Sequence, residues 1–269
     1  MSERAASLAG LGLALARIPY LNAEPFYAGW DAVSPETVEL VPRRLGEEAR
    51  AGRVDAGLMA AADWFSMAES FERVGSLGIA CRGEVESVLL LGGAPVDSLA
   101  GGRVVLTAES STSAALIRIL LGQRFGLEGV RYERGEFRDP RDIPAGEAWL
   151  VIGDSALAAR RAAPDRVALD LGQAWAEWTG LPFVYAVWTV RKSLPAGTRE
   201  ALAAFLDEGL ARGEADLSVP AREYFERSEG RLGTPEELTR YLRRFTYRLS
   251  GDEERGLSLF HTYWKELEA

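Results

Sequence analysis

The 269-residue chain is poor in the residue types that build disulfides and metal sites, with a single cysteine, Cys81, and a single histidine, His261. One cysteine excludes an intramolecular disulfide and a cysteine-based structural zinc site. One histidine excludes a histidine-rich metal site and argues against a Ser-His-Asp hydrolase. We therefore predict a protein without a metal ion, and no residue pattern assigns a role to Cys81 or His261.

The chain also lacks any cluster of basic residues. It carries 31 Lys and Arg against 40 Asp and Glu, which gives a net charge of -9, and only Lys192 and Lys265 are lysines. Nucleic acids and anionic membrane surfaces select for clustered basic residues, so neither is an expected partner. No apolar run approaches the roughly 20 residues that a transmembrane helix needs.

The first residues admit two interpretations. Arg4 and the apolar run 8–16 resemble a short signal peptide that would be cleaved after Ala16. The same run fits a buried first strand, because its leucines alternate with small residues. Cleavage would remove most of the strand that leads to Tyr20 and Asn22. We favour the strand and therefore expect a cytoplasmic protein.

Short apolar runs alternate along the chain with segments of helical periodicity, which is typical of an α/β protein. The apolar runs predict seven strands, at 11–21, 54–59, 87–91, 103–107, 149–152, 167–171 and 183–190. Helical spacing predicts helices at 42–51, 61–69, 111–125, 155–162 and 172–178, and an almost wholly helical segment from 198 to the end. The predicted strands lack a strict alternation of apolar and polar residues, which is typical of strands covered on both faces.

Two predicted strands are followed by loops that divide the chain. One loop follows the apolar run 87–91 and the other follows the run 183–190. If both runs cross between two lobes, residues 1–92 and 188–269 form one lobe and residues 93–187 form the other. This organisation predicts a ligand cleft between the lobes, a favoured place for small-molecule sites.

Polar residues stand at strand ends, where α/β proteins place their ligands. Tyr20 and Asn22 end the first predicted strand, and Asn22 is either a turn former or an amide that faces a ligand. Gly153 and Asp154 follow another strand, with Asp154 either a helix N-cap or a ligand contact. Ser87 lies at the predicted hinge, where the chain would cross between the lobes. Its hydroxyl either makes a local hydrogen bond or faces the cleft.

A run of hydroxyl residues follows the predicted strand 103–107. Ser110 is a good N-cap for the next helix, but Ser111, Thr112 and Ser113 exceed what capping requires. Amides at the start of a helix bind anions, and hydroxyls on the same turn add donors. The segment is therefore either a plain helix cap or a carboxylate-binding cradle without a fixed cation. The glycine pairs do not have the spacing of a nucleotide site.

Six segments, taken in order, resemble the chorismate dehydratase family, whose members catalyse the first dedicated step of the futalosine route to menaquinone. The segments are Arg17–Pro25, Arg53–Leu58, Val85–Leu90, Ser110–Leu116, Ile152–Leu157 and Asp170–Trp188. Each motif alone is weak, but six in the right order are specific, and the resemblance spans residues 15–265. Pro19 and Glu24 depart from the family pattern.

The resemblance implies a two-lobed, periplasmic-binding-protein-like fold of the second type and a lyase that converts chorismate to 3-[(1-carboxyvinyl)oxy]benzoate. It implies an active-site role for Asn22, a pocket role for Ser87, and a carboxylate site at Ser110, Thr112 and Ser113. It implies no metal and no organic cofactor. Chorismate carries two carboxylates, which a chain of net charge -9 must bind through local donors.

Dehydration needs a base for the ring proton and an acid for the departing hydroxyl. Because no histidine or cysteine is placed to act as the base, we expect the enolpyruvyl carboxylate of the substrate to remove the proton. Asn22 and Ser87 would orient the reacting groups.

Three alternative functions stay open. A solute-binding protein of a transporter would need export and would bind its ligand without turnover. The related naphthoate synthase of the same pathway is expected to use a base histidine. A ligand-sensing domain of a regulator is disfavoured because no helix-turn-helix segment is evident. Nothing in the sequence predicts an oligomeric state.

Overall fold

The computed structural model describes residues 12–30, 37–137 and 139–268. These described residues divide into two compact units, one from those up to residue 79 and from 185–250, and the other from those between 80 and 184 and from 251–268. No helix in these described ranges is both long enough and apolar enough to cross a membrane.

The described residues form strands and helices in alternation over most of the chain. The strands are β1 (Leu15–Arg17), β2 (Thr37–Glu39), β3 (Ala56–Ala60), β4 (Phe71–Cys81), β5 (Val88–Gly92), β6 (Arg103–Thr107), β7 (Arg131–Gly135), β8 (Glu147–Ile152), β9 (Val167–Asp170), β10 (Phe183–Arg191) and β11 (Phe245–Arg248). The α-helices are α1 (Pro42–Arg50), α2 (Ala61–Met67), α3 (Thr112–Ile119), α4 (Gly153–Ala162), α5 (Leu171–Thr179), α6 (Ala196–Ala215), α7 (Ser218–Arg227), α8 (Pro235–Leu242) and α9 (Gly251–Glu268).

The first unit contains a six-stranded sheet in the order β11-β4-β10-β3-β1-β2. Strand β1 is parallel to β2 and β3, whereas β10 is antiparallel to β3. Aromatic rings fill the core beside this sheet. The Trp30 ring lies 5.3 Å from that of Phe205 and 6.2 Å from that of Trp188, and Phe26 meets Trp188 edge-on at 5.7 Å. The turn that follows β1 is therefore built into the core of this unit.

The second unit contains a five-stranded sheet in the order β7-β6-β8-β5-β9. Strand β6 is parallel to β7 and β8, and β5 is antiparallel to β8 and β9. Apolar side chains of β5, β8 and α4 form one core cluster, which includes Leu89, Val151 and Ala156. In this sheet the carboxyl ends of β6 and β8 and the beginning of β5 all lie at one edge.

All seven predicted strands occur. Strand β6 has the predicted bounds, β8 and β10 are longer than predicted, and the others are shifted or shortened; the part of the first strand at residue 11 lies outside the described residues. Four strands were not predicted: β2, β4, β7 and β11. The prediction of an almost wholly helical segment after residue 198 is wrong at β11, where Phe245 and Tyr247 are buried with the two-residue period of a strand.

The two units also divide the chain differently from the predicted lobes. Residues 80–92 belong to the second unit, because β5 pairs with β8 and β9. Residues 251–269 belong to it as well, since Phe260 of α9 lies 4.8 Å from Phe183 and 6.3 Å from Trp175 between ring centres. The chain changes unit within β4, within β10 and between Ser250 and Gly251, so Ser87 is part of the second unit rather than of a crossing segment.

Candidate functional site

Three of the predicted polar segments meet at one edge of the five-stranded sheet. The run Ser110–Ser113 follows β6 and Gly153 follows the parallel strand β8, so both stand at the carboxyl edge. Ser87 precedes β5, which is antiparallel to β8, and therefore joins the same edge. The Gly153 N–H donates to the Ser87 carbonyl oxygen at 2.8 Å. We refer to Ser87, Ser110–Ser113, Gly153 and Asp154 as the polar edge.

The hydroxyl run stands at the start of helix α3 and is mostly buried. The Ser110 Oγ accepts the Ser113 N–H at 3.0 Å, the bond expected of the predicted cap, although the residue directly before α3 is Ser111, whose side chain makes no cap bond. This bond occupies the Ser113 amide, one of those at the start of the helix. Ser110, Thr112 and Ser113 are buried, whereas Ser111 is partly exposed. Helix α3 therefore begins at the polar edge with its amide dipoles aligned toward that edge.

A cation lies at this segment, although the sequence predicted a cradle without one. Arg134 lies on β7, opposite Leu106 of β6 in the parallel pair. Its Nη1 donates to the carbonyl oxygen of Thr107 at 2.9 Å and to that of Ser110 at 3.4 Å. The only sequence signal is an arginine in an unremarkable charged run. The pairing of β6 with β7 is what places this guanidinium at the polar edge.

Helix α4 begins differently from the prediction for Asp154. The helix starts at Gly153, the position before it is Ile152, and no side chain caps the helix. Asp154 therefore lies inside the first turn, and the N-cap interpretation is wrong. Gly153 has φ of +58°, a left-handed conformation that favours glycine over any residue with a side chain.

Ser87 is buried and sits on a constrained loop. Its Oγ donates weakly to the Val85 carbonyl oxygen, at 3.4 Å. The preceding residue, Glu86, has φ of +63°, which is rare for a residue with a Cβ. Asp170, at the end of β9, accepts N–H bonds from this loop. Burial raises the pKa of Asp170, although its backbone hydrogen bonds act in the opposite direction.

In the first unit, Asn22 lies in a short 3-10 helix, Leu21–Tyr27, directly after β1. The other six residues of this helix are buried, and Asn22 is the exception. Tyr20 precedes the helix in an extended conformation and is partly buried. The amide of Asn22 is thus presented by a turn whose remaining side chains are all committed to packing.

Backbone contacts hold the segment that leads to Asn22. The Tyr27 Oη accepts the Ile18 N–H at 2.9 Å, and the Tyr224 Oη donates to the Pro19 carbonyl oxygen at 3.0 Å. One tyrosine comes from the 3-10 helix and the other from α7. Two rigid aromatic side chains therefore fix the path of the chain immediately before Tyr20.

A buried carboxylate follows Asn22 two residues later. The Glu24 Oε2 lies 2.8 Å from an Arg17 Nη2, and its Oε1 lies 2.6 Å from an Arg227 Nη2. We name Arg17, Glu24 and Arg227 the Glu24 clamp. Burial raises the pKa of Glu24, and the two guanidinium groups lower it only in part. Glu24 is thus a buried acidic group with two cationic partners.

Replacing Glu24 with alanine is expected to lower the free energy of unfolding by about 3 kcal/mol, because the half-buried Arg17 would keep its charge and lose its partner. Arg227 contributes less, since half of its side chain is exposed. Urea unfolding measures the change. The control is Glu47→Ala, whose ion pairs with Arg43 and Arg44 are exposed and should be worth no more than about 0.5 kcal/mol. Equal losses in the two variants would contradict a special stabilising effect of the clamp.

The two residues predicted to be catalytic belong to different units. Ser87 lies with the hydroxyl run, Gly153 and Asp154 in the second unit, whereas Tyr20 and Asn22 lie in the first. Sequence patterns missed three residues that contact these segments: Arg134, Asp170 and Glu24. Each of them contacts a residue of another strand, helix or loop, so no spacing pattern in the local sequence could have identified it.

The chain has one cysteine and one histidine, the residue types that often supply a base. Cys81 is buried, with its Sγ 3.5 Å from the Glu84 carbonyl oxygen. His261 lies on α9, where partial burial and Lys265 lower its pKa. Within the described part of the chain, no group of three or more His, Cys, Asp or Glu residues is arranged to hold a metal ion.

Comparison with known proteins identifies a family. The family model for menaquinone biosynthesis matches residues 13–266. A chorismate dehydratase from Thermus thermophilus is 32% identical over 257 residues, which cover 90% of this chain and 91% of that protein.

Solved structures are similar in fold. A protein from Archaeoglobus fulgidus superposes with a TM-score of 0.78 at 14% identity, covering 95% of this chain and 97% of the other. The periplasmic aliphatic sulphonate binding protein of Escherichia coli superposes with a TM-score of 0.60 at 14% identity, covering 95% of this chain and 87% of the other. At these identities the likeness shows the fold alone, and it confirms the predicted periplasmic-binding-protein-like α/β fold.

Proposed function

We propose that this chain, which belongs to the menaquinone biosynthesis family, dehydrates chorismate to 3-[(1-carboxyvinyl)oxy]benzoate in the first step of the futalosine route. The observation that carries the proposal is the 32% identity, over 90% of the chain, to a chorismate dehydratase. The enzyme would be a carbon–oxygen lyase that acts on a small dianionic substrate.

The polar edge supplies groups that suit a carboxylate. Helix α3 directs its amide dipoles there, and Ser111, Thr112 and Ser113 add hydroxyls on its first turn. The guanidinium of Arg134, held by two backbone carbonyls of the same segment, contributes positive charge. In a chain of net charge -9, such local donors overcome the repulsion between an acidic protein and an anionic ligand.

The elimination itself proceeds with few protein groups. The enolpyruvyl carboxylate of chorismate takes the ring proton, and the electron pair of the broken C–H bond forms the new ring double bond. The C–O bond to the hydroxyl breaks, the departing oxygen receives the same proton back from the enolpyruvyl carboxyl group, and it leaves as water, which restores the carboxylate. The net change is the loss of one water, and aromatisation of the ring drives it forward. Correct orientation of the carboxylate supplies most of the acceleration.

Asn22 and Ser87 would orient the reacting groups. An amide both donates and accepts hydrogen bonds, so Asn22 can bind the departing hydroxyl as its charge develops. A serine hydroxyl has the same dual capacity, and Ser87 would hold the enolpyruvyl carboxylate in its reactive pose. Both groups are neutral, which suits a site that must not compete with the substrate carboxylate as a base.

Replacing Thr112 with valine is expected to raise KM for chorismate about tenfold, because the variant keeps the side-chain shape and removes one donor to a charged group. The value of kcat should change less than about twofold if the hydroxyl binds substrate and transition state equally. Steady-state kinetics measure both. The control is Thr262→Val, which removes an exposed hydroxyl on α9 that donates to Ser258. An unchanged KM in Thr112→Val would show that the hydroxyl does not bind substrate.

The first experiment is incubation of the purified protein with chorismate, followed by absorbance and mass spectrometry. Conversion to a product lighter by one water supports the lyase. Binding of chorismate without loss of water would replace the lyase with a solute-binding or sensing protein. The absence of binding and of turnover would refute chorismate as the ligand and leave the fold assignment standing.

We also propose a cytoplasmic location. Strand β1 lies between β2 and β3 in its sheet, and Ala16 is its central residue. Cleavage after Ala16 would therefore break a strand that pairs on both sides and remove the segment that leads to Asn22. The intact mass of protein recovered from separated periplasmic and cytoplasmic fractions tests this location. A mature chain that begins at residue 17 would contradict it.

A further inference from the structure

We propose that Asp170 is a positioning residue for Ser87, holding the loop 85–87 in the conformation that directs the serine into the reaction. This inference rests on the proposed function. Asp170 is not expected to touch the substrate. It acts through the backbone of the residues before Ser87.

One carboxylate joins two elements of the second unit. Both oxygens of Asp170 accept the Val85 N–H at 3.1 Å, and Oδ2 also accepts the Glu86 N–H at 2.8 Å. The Oδ1 accepts the Gln173 N–H at 3.0 Å, which caps helix α5. Three backbone amides, two from the loop and one from the helix, therefore converge on a single side chain.

The loop needs such an acceptor because its backbone is unfavourable. Glu86 has φ of +63°, and a left-handed residue with a Cβ costs about 1 to 2 kcal/mol. Hydrogen bonds to a charged acceptor are strong enough to offset this cost. The loop is also held at its other end, where the Ser87 carbonyl oxygen accepts the Gly153 N–H at 2.8 Å. Ser87 is thus fixed from both sides.

An amide side chain cannot replace the carboxylate. Asparagine offers one acceptor oxygen, and its NH2 group would face a backbone N–H instead of accepting from it. The variant Asp170→Asn is therefore nearly isosteric, yet it removes about half of the acceptor capacity. The Asp170→Asn variant therefore tests the hydrogen bonds of the residue while leaving its packing nearly unchanged.

The test is a double-mutant cycle on the full chain with chorismate as substrate. We expect Asp170→Asn to lower kcat up to about 100-fold, the effect of misplacing a reacting group by about 1 Å, with KM changed less than about threefold. In the Ser87→Ala background the same substitution should lower kcat less than about threefold further, because the group through which it acts is gone. If the kcat losses of the two single variants multiply in the double variant, the proposal is overturned, because a merely structural role of Asp170 predicts independent losses.

Two further variants keep the result interpretable. Asp139→Asn makes the same change at an exposed carboxylate that accepts the Arg141 N–H at 3.0 Å, and it should leave kcat unchanged. Glu86→Gly removes the cost of the positive φ, so Glu86→Gly/Asp170→Asn should recover at least about fivefold in kcat over Asp170→Asn. If Asp170→Asn does not fold at the assay temperature, all variants are compared at a lower temperature at which it does fold, and a kcat equal to that of the wild type would overturn the proposal.

Failure of this inference is distinguishable from failure of the proposed function. The wild-type chain is assayed first, and an absence of turnover refutes the lyase alone. Hydrogen–deuterium exchange then tests the loop without any reaction. Asp170→Asn should speed exchange at the amides of Val85 and Glu86 about tenfold or more, whereas Asp139→Asn should not. Unchanged exchange would overturn the assignment of Asp170.

Discussion

Replacing Asn22 with alanine is expected to lower kcat for chorismate about 10²- to 10³-fold, the usual cost of removing one preorganised donor to developing charge. KM should change little, because the amide acts most strongly on the departing hydroxyl. Asn22 is the only asparagine in the chain and the only residue of its 3-10 helix that is not buried. Both features fit a side chain kept for chemistry rather than packing. Single-turnover mass spectrometry, which detects the loss of one water, measures the chemical step directly.

Two variants accompany this prediction. Gln123→Ala removes an exposed side-chain amide in the second unit and should leave kcat and KM unchanged. Asn22→Asp keeps the shape but sets a carboxylate beside a dianionic substrate, so KM should also rise. Full turnover by Asn22→Ala, with unaltered binding, would remove Asn22 from the mechanism.

Replacing Gly213 with alanine is expected to lower the free energy of unfolding by about 3 kcal/mol and to reduce kcat. Helix α6 packs against the 3-10 helix that carries Asn22. A Cβ at Gly213 would overlap the Pro25 carbonyl oxygen, and one at Gly209 would lie 2.7 Å from the Phe26 carbonyl oxygen. These are backbone atoms of the same turn, so relief of the overlap must shift the segment that holds Asn22. Thermal melts and steady-state kinetics on the same preparation measure both effects.

The same helix offers a matched control. Gly197 also lies on α6, but a Cβ there would have no neighbour within 4 Å. Gly197→Ala should therefore leave kcat unchanged and stabilise the protein by up to about 1 kcal/mol, the usual gain from replacing glycine in a helix. If Gly213→Ala and Gly197→Ala behaved alike, the close approach of α6 to the Asn22 turn would have no energetic consequence.

Structural features that depend on residues close together in the sequence were predicted well. The apolar run of β6 predicted its bounds, and Ser110 was predicted to cap the next helix and does accept the Ser113 N–H. Both features are encoded within a few residues. Strand β4 was missed for the opposite reason. Gly75 and Gly78 interrupt its apolar pattern. Residues far away in the sequence explain Gly78, because a Cβ there would lie 2.7 Å from the Ala186 carbonyl oxygen and 2.8 Å from the Leu249 Cδ1.

The sequence by itself thus determined the α/β class, most core strands, the polar segments at strand ends and, through ordered motifs, the family. Tertiary structure decided which partners those segments have. Arg134 reaches Ser110 across 24 residues, Asp170 reaches Val85 across 85, and Arg227 reaches Glu24 across 203. Such pairs depend on strand order and helix packing, which the periodicity of apolar residues in the sequence does not predict. A long-range hydrogen bond between polar groups leaves no pattern in one sequence until the backbone has brought the two groups together.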